Sequence, residues 1–329
     1  MNKKYKFMLT SILVFSTISY TSYAKELNSD GFNHYIDGIK SEALDQGYSK
    51  ALLERVYKNV KFKPKIIKSD KNQPEKKVTL EAYLSKVVTP WKVKKAKQAF
   101  IENRHLLEAT SEKYGIPAKF IVSLWGIESS FGRWTGNHSV IGALTTMAYE
   151  GRREAFFKSE IFHALAILQK GHIKPEQMLG SWAGAMGQCQ FMPSSFLAYA
   201  QDGNQDGKKD IWKDKADVFA SIANYLRSVG WQKGYTWGRE VVLTQNIAAG
   251  QKGFEKSKGK SLAEWEKLGV RRVNGHPLPK VDIQAWLIQP DSEKGASYLV
   301  YNNFRAIMHW NRSYYFALSV SQLADKIGY

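Results

Sequence analysis

Phe120-Ile121-Val122-Ser123-Leu124-Trp125-Gly126-Ile127-Glu128-Ser129-Ser130-Phe131-Gly132 is the stretch on which the reading of this chain turns. On a helix, Ile121, Leu124 and Glu128 fall at i, i+3 and i+7, so a carboxyl stands on the apolar stripe where the pattern calls for another leucine. Without a fixed cation beside it, such a carboxyl has its charged form destabilised by desolvation and its pKa raised. A general acid working near neutral pH requires that shift. The competing reading is a structural glutamate satisfied by an ion pair or a helix N-terminus.

Working outward, Gly115-Ile116-Pro117 closes what precedes and opens this helix, with Pro117 at a first-turn position where its missing N–H costs nothing. Upstream, Phe32, Tyr35, Ile36 and Ile39, then Leu52, Leu53, Val56 and Tyr57, recur at helical spacing. A mostly polar stretch, 64–77, interrupts them before Thr79 to Lys86 and Val93 to Thr110 resume. Downstream, helical patterns cover Glu154 to Gln169, Pro175 to Gly184, Pro193 to Ala200, and Ala216 to Val229 with a stop at Gly230. After Tyr235 the texture changes: Val241 to Leu243, Ile283 to Ile288 and Tyr298 to Tyr301 read as strands separated by Gly, Pro and Lys turns. Arg305 to Ile327 returns to helix. The expectation is an α+β, mainly α protein: an N-terminal helical subdomain at 25–112, a helical core at 113–235, a small β-containing subdomain at 236–304, and a returning C-terminal helix at 305–329.

A second signal is Ser181-Trp182-Ala183-Gly184-Ala185-Met186-Gly187-Gln188-Cys189-Gln190-Phe191-Met192-Pro193-Ser194-Ser195. Its small residues allow close backbone approach, its two Gln side chains pair donors with acceptors, and Phe191 and Met192 supply an apolar floor. That mix suits an amino sugar, which needs hydrogen bonds on its edges and apolar contact on its faces; ordinary close packing suits it equally. The loop from Asp202 to Asp210 carries Asp202, Asn204, Asp206, Lys208 through its backbone carbonyl, and Asp210 at ligand places of a calcium loop, with Gly207 at the sixth. Its twelfth place is Lys213, which cannot replace the bidentate glutamate, so a structural calcium ion and a self-bonded Asp/Gly turn both stand open. The His residues are scattered without a zinc pattern, and no cofactor is required.

Three of these segments, Ile-Glu-Ser-Ser-Phe-Gly at 127–132, Ala-Gly-Ala-Met-Gly-Gln-Cys-Gln-Phe-Met-Pro-Ser-Ser at 183–195 and Trp-Asn-Arg-Ser at 310–313, resemble the lytic murein transglycosylase B family. The likeness extends to Asp70-x-x-Gln73-Pro74-Glu75 and Ala223-Asn224-Tyr225. It implies a lysozyme-like core for 113–235 and cleavage of the MurNAc-GlcNAc bond of peptidoglycan with formation of 1,6-anhydro ends. One glutamate, Glu128, would act as acid and then base. It also implies Ser181, Gln190, Phe191, Tyr225, Trp310 and Asn311 along the sugar-binding cleft, and Arg152 and Arg153 facing a substrate carboxylate, which an arginine fork grips through parallel hydrogen bonds. Trp310 stands where some relatives carry Tyr; a phenol hydroxyl is absent there, but an indole can stack on a sugar face. Some members bind calcium in the loop corresponding to Asp202 to Asp210.

The N-terminus, with Lys3, Lys4 and Lys6, an apolar run from Phe7 to Ile18, and Ser22-Tyr23-Ala24, has the form of a signal peptide at 1–24, which places the mature protein in the periplasm. The run is short for a spanning helix, so no stable membrane span is expected. A formal charge of +18 on an exported chain points to an acidic envelope polymer before nucleic acid, and glycan strands bearing lactyl and peptide carboxylates fit it. Cys189 is the lone cysteine and excludes an internal disulfide. The rival functions are a hydrolytic muramidase, which would call for a second carboxylate such as Glu150 or Glu154, and a non-catalytic wall-binding protein.

Overall fold

Many of the helices in this chain start where short polar side chains can take up the free N–H groups of a first turn. In the computed structural model, which describes residues 27–71, 78–291 and 295–328, Asn28, Ser49, Thr79 and Thr89 each accept such an N–H. They open α1 (Ser29–Asp45), α2 (Lys50–Tyr57), and, past α3 (Pro64–Lys71), α4 (Leu80–Val87) and α5 (Pro90–Glu102). The stretch expected to interrupt these helices is partly helical: in α3, Ile66 and Ile67 are buried, which outweighs the polarity around them. The helix expected from Val93 to Thr110 is two, α5 and α6 (Arg104–Tyr114), broken at Asn103. The 1–24 export segment and the Gln73-Pro74-Glu75 part of the upstream motif lie outside the described residues.

Next come α7 (Ala118–Ser129), β1 (His138–Ser139), α8 (Val140–Glu150), α9 (Glu154–Gln169), β2 (Leu179–Gly180), α10 (Pro193–Tyr199) and α11 (Lys215–Ser228). Every residue of α8 from Val140 to Tyr149 is buried, because α1, α2 and α3 cover one side of it and α9 another. α7 is enclosed likewise by α5, α6, α11 and the C-terminal helix. The helix expected over 175–184 is absent. A single 3-10 turn, Pro175–Gln177, leads into β2, which pairs antiparallel with β1. A Cβ at Gly180 would overlap the Ala185 carbonyl and Gly184 has φ of +91°, so close backbone packing decides this segment against helix.

The β-containing part comprises β3 (Gly238–Leu243), β4 (Lys260–Ser261), α12 (Leu262–Lys267), β5 (Val270–Arg272), β6 (Gln284–Ile288) and β7 (Ser297–Val300). The strands form one antiparallel sheet in the order β4-β6-β7-β3-β5. Alternation along β6 and β7 serves two cores. Trp286, Ile288, Tyr298 and Val300 join the main helical core, while Ala285, Leu287, Leu299 and Tyr301 join a separate cluster with Leu262, Trp265 and Val270. Residues 236–304 thus own a core, whereas the N-terminal helices do not: Phe32, Leu53, Leu80 and Phe100 belong to the same cluster as Ile121 and Leu124.

The C-terminal stretch is two helices, α13 (Asn302–Trp310) and α14 (Tyr314–Ile327), separated by Asn311-Arg312-Ser313. α14 packs against α7. The break between them leaves Trp310 at a helix end rather than in mid-helix, and that places its side chain at Glu128.

Candidate active site

Glu128 is the penultimate residue of α7, one turn past Leu124 and two past Ile121, both wholly buried. It keeps part of its surface open, yet protein packs closely around the carboxyl. Burial pushes its pKa up to about 7, and a hydrogen bond from Trp310 opposes that shift without cancelling it. Its place at the C-terminal end of a helix acts in the same direction as burial, because unpaired carbonyls there disfavour a negative charge. No cation among the described residues forms an ion pair with it. The Tyr83 and Tyr225 phenols and the Cys189 thiol, each pushed up first by its own burial, are raised further by the Glu128 charge.

Trp310 Nε1 donates to Glu128 Oε1 at 2.7 Å. The indole packs against two rings that also touch each other, with centroid separations of 5.2 Å to Phe191, 4.5 Å to Tyr225 and 5.7 Å between those two. Phe191 is buried and fixed by a tight turn in which Met186 and Phe191 exchange backbone hydrogen bonds. Tyr225 is buried too; its hydroxyl lies 3.0 Å from both the carbonyl oxygen and Nδ1 of His309. That hydroxyl has one proton to give; given to the carbonyl, it leaves a lone pair for Nδ1–H. Tyr225 therefore stands behind Trp310, with its polar atom occupied within the protein.

The structure distributes the remaining expected residues unevenly. Gln190 has φ of +49°, and its Nε2 donates to the carbonyls of Gly187 and Thr135 at 2.9 and 3.2 Å, tying the motif to the loop that follows α7. Ser181 Oγ accepts the N–H groups of Ala183 and Ala185, closing its own turn. Gln188 is consumed inside, between Trp125 Nε1 and the Trp212 carbonyl. Asn311 is exposed directly after Trp310. Cys189 is fully buried and its thiol is pushed well up by that burial, which makes it chemically inert. Arg152 and Arg153 both pair with Asp70, the second at 2.8 Å, and Arg152 Nε also pairs with Glu150 at 2.6 Å. Their guanidinium groups are half-exposed but already matched by carboxylates of this chain.

At the Asp202 to Asp210 loop, the oxygens of Asp202 accept the N–H groups of Asp206 and Gly207, Asp206 accepts that of Lys208, and Asp210 accepts those of Trp212 and Lys213. Asn204 donates to Asp214 at 2.9 Å. Among the described residues no three acidic, histidine or cysteine side chains gather as a metal-binding set. The loop's carboxylates thus hold its own N–H groups, and with a lysine in the twelfth place it lacks the bidentate glutamate of an EF-hand shell.

Sequence reasoning missed Arg133 and Trp134, the exposed pair four and five residues past the end of α7. Ser130, Phe131 and Gly132 run at φ of +51°, +63° and +79°, and this succession of left-handed residues turns the chain sharply enough to set the pair on the surface beyond Glu128. A Gly at 132 hints at the turn; two non-glycine neighbours conceal it.

A mainly helical scaffold carrying one poised carboxyl at the end of a buried helix belongs to the lysozyme-like class. Within it, this chain belongs to the transglycosylase SLT domain family, whose model matches residues 31–325. The membrane-bound lytic murein transglycosylase B of Escherichia coli is 32% identical over 247 residues, 74% of this chain and 66% of that protein, so the match spans slightly less than two thirds of that relative. The structure of SltB3 from Pseudomonas aeruginosa in complex with NAG-anhNAM-pentapeptide superposes with a TM-score of 0.86 at 38% identity, covering 90% of this chain and 79% of that one. The Escherichia coli lytic transglycosylase Slt35 in complex with calcium superposes at 0.76 with 27% identity, covering 91% and 93%.

Proposed function

We infer that this protein is a lytic transglycosylase that cuts peptidoglycan glycan strands, with Glu128 as acid and then base. The observation that carries this reading is a carboxyl poised at about 7 that, among the described residues, has a tryptophan N–H as its one hydrogen-bond partner. A retaining glycosidase needs a second carboxylate about 5 Å away, whereas substrate-assisted chemistry does not. The nearest alternatives in sequence are engaged elsewhere: Glu150 with Arg152 and Lys71, Glu154 with the Tyr35 hydroxyl.

An indole N–H can only donate, so its approach to Oε1 disfavours a proton on that oxygen and leaves the proton of the neutral acid on Oε2. From Oε2 the proton passes to the bridging oxygen as the C1–O bond of N-acetylmuramic acid breaks. The sugar's own acetamido oxygen stabilises the cation at C1. Glu128, now a carboxylate, takes the proton from the C6 hydroxyl as O6 bonds to C1; the proton returns to the enzyme and no water is consumed. The product is a 1,6-anhydro end, the kind of group that SltB3 carries in its complex. Export through residues 1–24 and action in the periplasm belong to the same reading, and among the described residues no helix is long and apolar enough to cross a membrane.

The test is mass spectrometry of muropeptides released from purified cell wall by the protein and by Glu128→Gln. Anhydro products from the first and none from the second support the assignment. Reducing-end products that have gained water would make the protein a hydrolase, and release of nothing by either would make it a binding protein.

A further inference from the structure

Of the large apolar side chains exposed among the described residues, Trp134 is the most exposed, at 66%. It is not loosely held. Its backbone N–H donates to the Ser129 carbonyl at 2.8 Å, directly behind Glu128. The next residue, Thr135, has its carbonyl gripped by Gln190 Nε2 at 3.2 Å. Gly132 and Gly136 flank the pair, and a Cβ on either would overlap Gln188 or the Gly180 backbone, so both ends of this short loop are seated against the protein. Hiding an indole would stabilise the fold by roughly 2 kcal/mol; here a rigid loop holds one open to solvent instead.

Arg133 lies over the same indole, its guanidinium carbon 5.3 Å from the ring centroid, and no carboxylate among the described residues pairs with it. That contrasts with Arg152 and Arg153, both already matched by Asp70. An exposed aromatic face beside an unmatched guanidinium is complementary to a sugar ring bearing a carboxylate. A free cation gains from a new anion, whereas a paired one must first lose its partner.

We propose that Arg133 and Trp134 form a glycan subsite continuous with the Glu128 site, the indole carrying the face of one sugar ring and the guanidinium pairing with a lactyl or stem-peptide carboxylate of the same strand. This rests on the peptidoglycan reading above and extends it to a contact beyond the reacting bond. The occupant is a carboxylate-bearing glycan because the guanidinium lies against an indole that stays 66% exposed and the loop that carries them is fastened to Ser129 and Gln190. A pair of this kind acts on substrate affinity and on the choice of strand rather than on the proton transfer itself.

The experiment uses the chain carrying Glu128→Gln, which can bind without turning over, labelled with 5-fluorotryptophan and titrated with a peptidoglycan tetrasaccharide bearing stem peptides. A parallel titration uses chitotetraose, which has no carboxylate. The Trp134 resonance, assigned by its loss in Trp134→Phe, should shift with both ligands. Trp134→Ala, at an exposed position that leaves the core intact, should weaken both by about tenfold. Arg133→Ala should weaken only the carboxylate-bearing ligand, by about threefold. An unmoved Trp134 resonance, with affinities unchanged in Trp134→Ala, overturns the subsite while leaving the peptidoglycan reading intact. Absence of binding by the parent with either ligand removes both.

Discussion

Replacing Trp310 with Phe removes one hydrogen bond and little else from the Glu128 site. The phenyl ring can still lie against Phe191 and Tyr225, so the floor remains, but the donor 2.7 Å from Oε1 is gone. A hydrogen bond to a carboxylate contributes about 1.5–3 kcal/mol, against about 0.5–1.5 kcal/mol for one to a neutral acid. Its loss therefore penalises the charged form by about 1 kcal/mol more than the neutral one, or slightly under about one pH unit at about 1.4 kcal/mol per unit. The sign follows from Glu128 already standing at about 7 through burial with Trp310 as the opposing influence: removing the opposition moves it further up. Since the proposed mechanism needs Glu128 protonated, the alkaline limb of kcat/KM, which reports the free enzyme, should move to higher pH by that amount. At the optimum, kcat should fall about tenfold, because the proton is no longer confined to Oε2 and fewer encounters are aligned. The assay is release of soluble muropeptides from purified cell wall between about pH 5 and 9, with a thermal melt to measure the packing cost of about 1–2 kcal/mol. An alkaline limb that stays in place or moves down, in a variant that melts cooperatively, would refute the role given to Trp310.

Two further outcomes follow from the same geometry. Glu128→Gln should be more stable than the parent by about 3 kcal/mol at about pH 8 and equal to it near about pH 4. The raised folded-state pKa means that the carboxyl's stability is intact below its unfolded value and is lost as pH rises through about 7; urea midpoints at the two pH values check this, and equal midpoints at both would contradict the burial assigned to Glu128. Millimolar calcium should leave the melting temperature unchanged, since the loop carboxylates already hold Asp206, Gly207, Lys208, Trp212 and Lys213 N–H groups. A rise of several degrees that chelation reverses would mean that the loop re-forms around an ion.

What could be read from the chain alone was whatever depends on periodicity and on single out-of-place residues. Glu128 declared itself because one carboxyl interrupts an apolar stripe, and β3, β6 and β7 were legible because β-branched and aromatic residues cluster between turn residues, whereas the two- and three-residue strands β4 and β5 were too short to show a pattern. The helix over 154–169 was legible to the residue, and three ordered motifs sufficed for the family. The same logic failed over 175–184, where periodicity suggested a helix but close packing against neighbouring backbone imposed an extended turn. Opposite charge across the fold, invisible to local pattern, decided the state of Arg152 and Arg153: Asp70 lies more than eighty residues earlier and still meets both.

The tertiary structure alone determined what surrounds Glu128. Trp310 reaches it from 182 residues away, from the last residue of α13, where its indole packs against two rings contributed by two other segments. Burial, the force that sets the Glu128 pKa, is a property of everything packed around a group, so a sequence can mark the carboxyl without naming its neighbours. Arg133 and Trp134 were silent for the same reason: exposure and an unmatched charge are defined by what does not approach them, and no spacing along a chain records that.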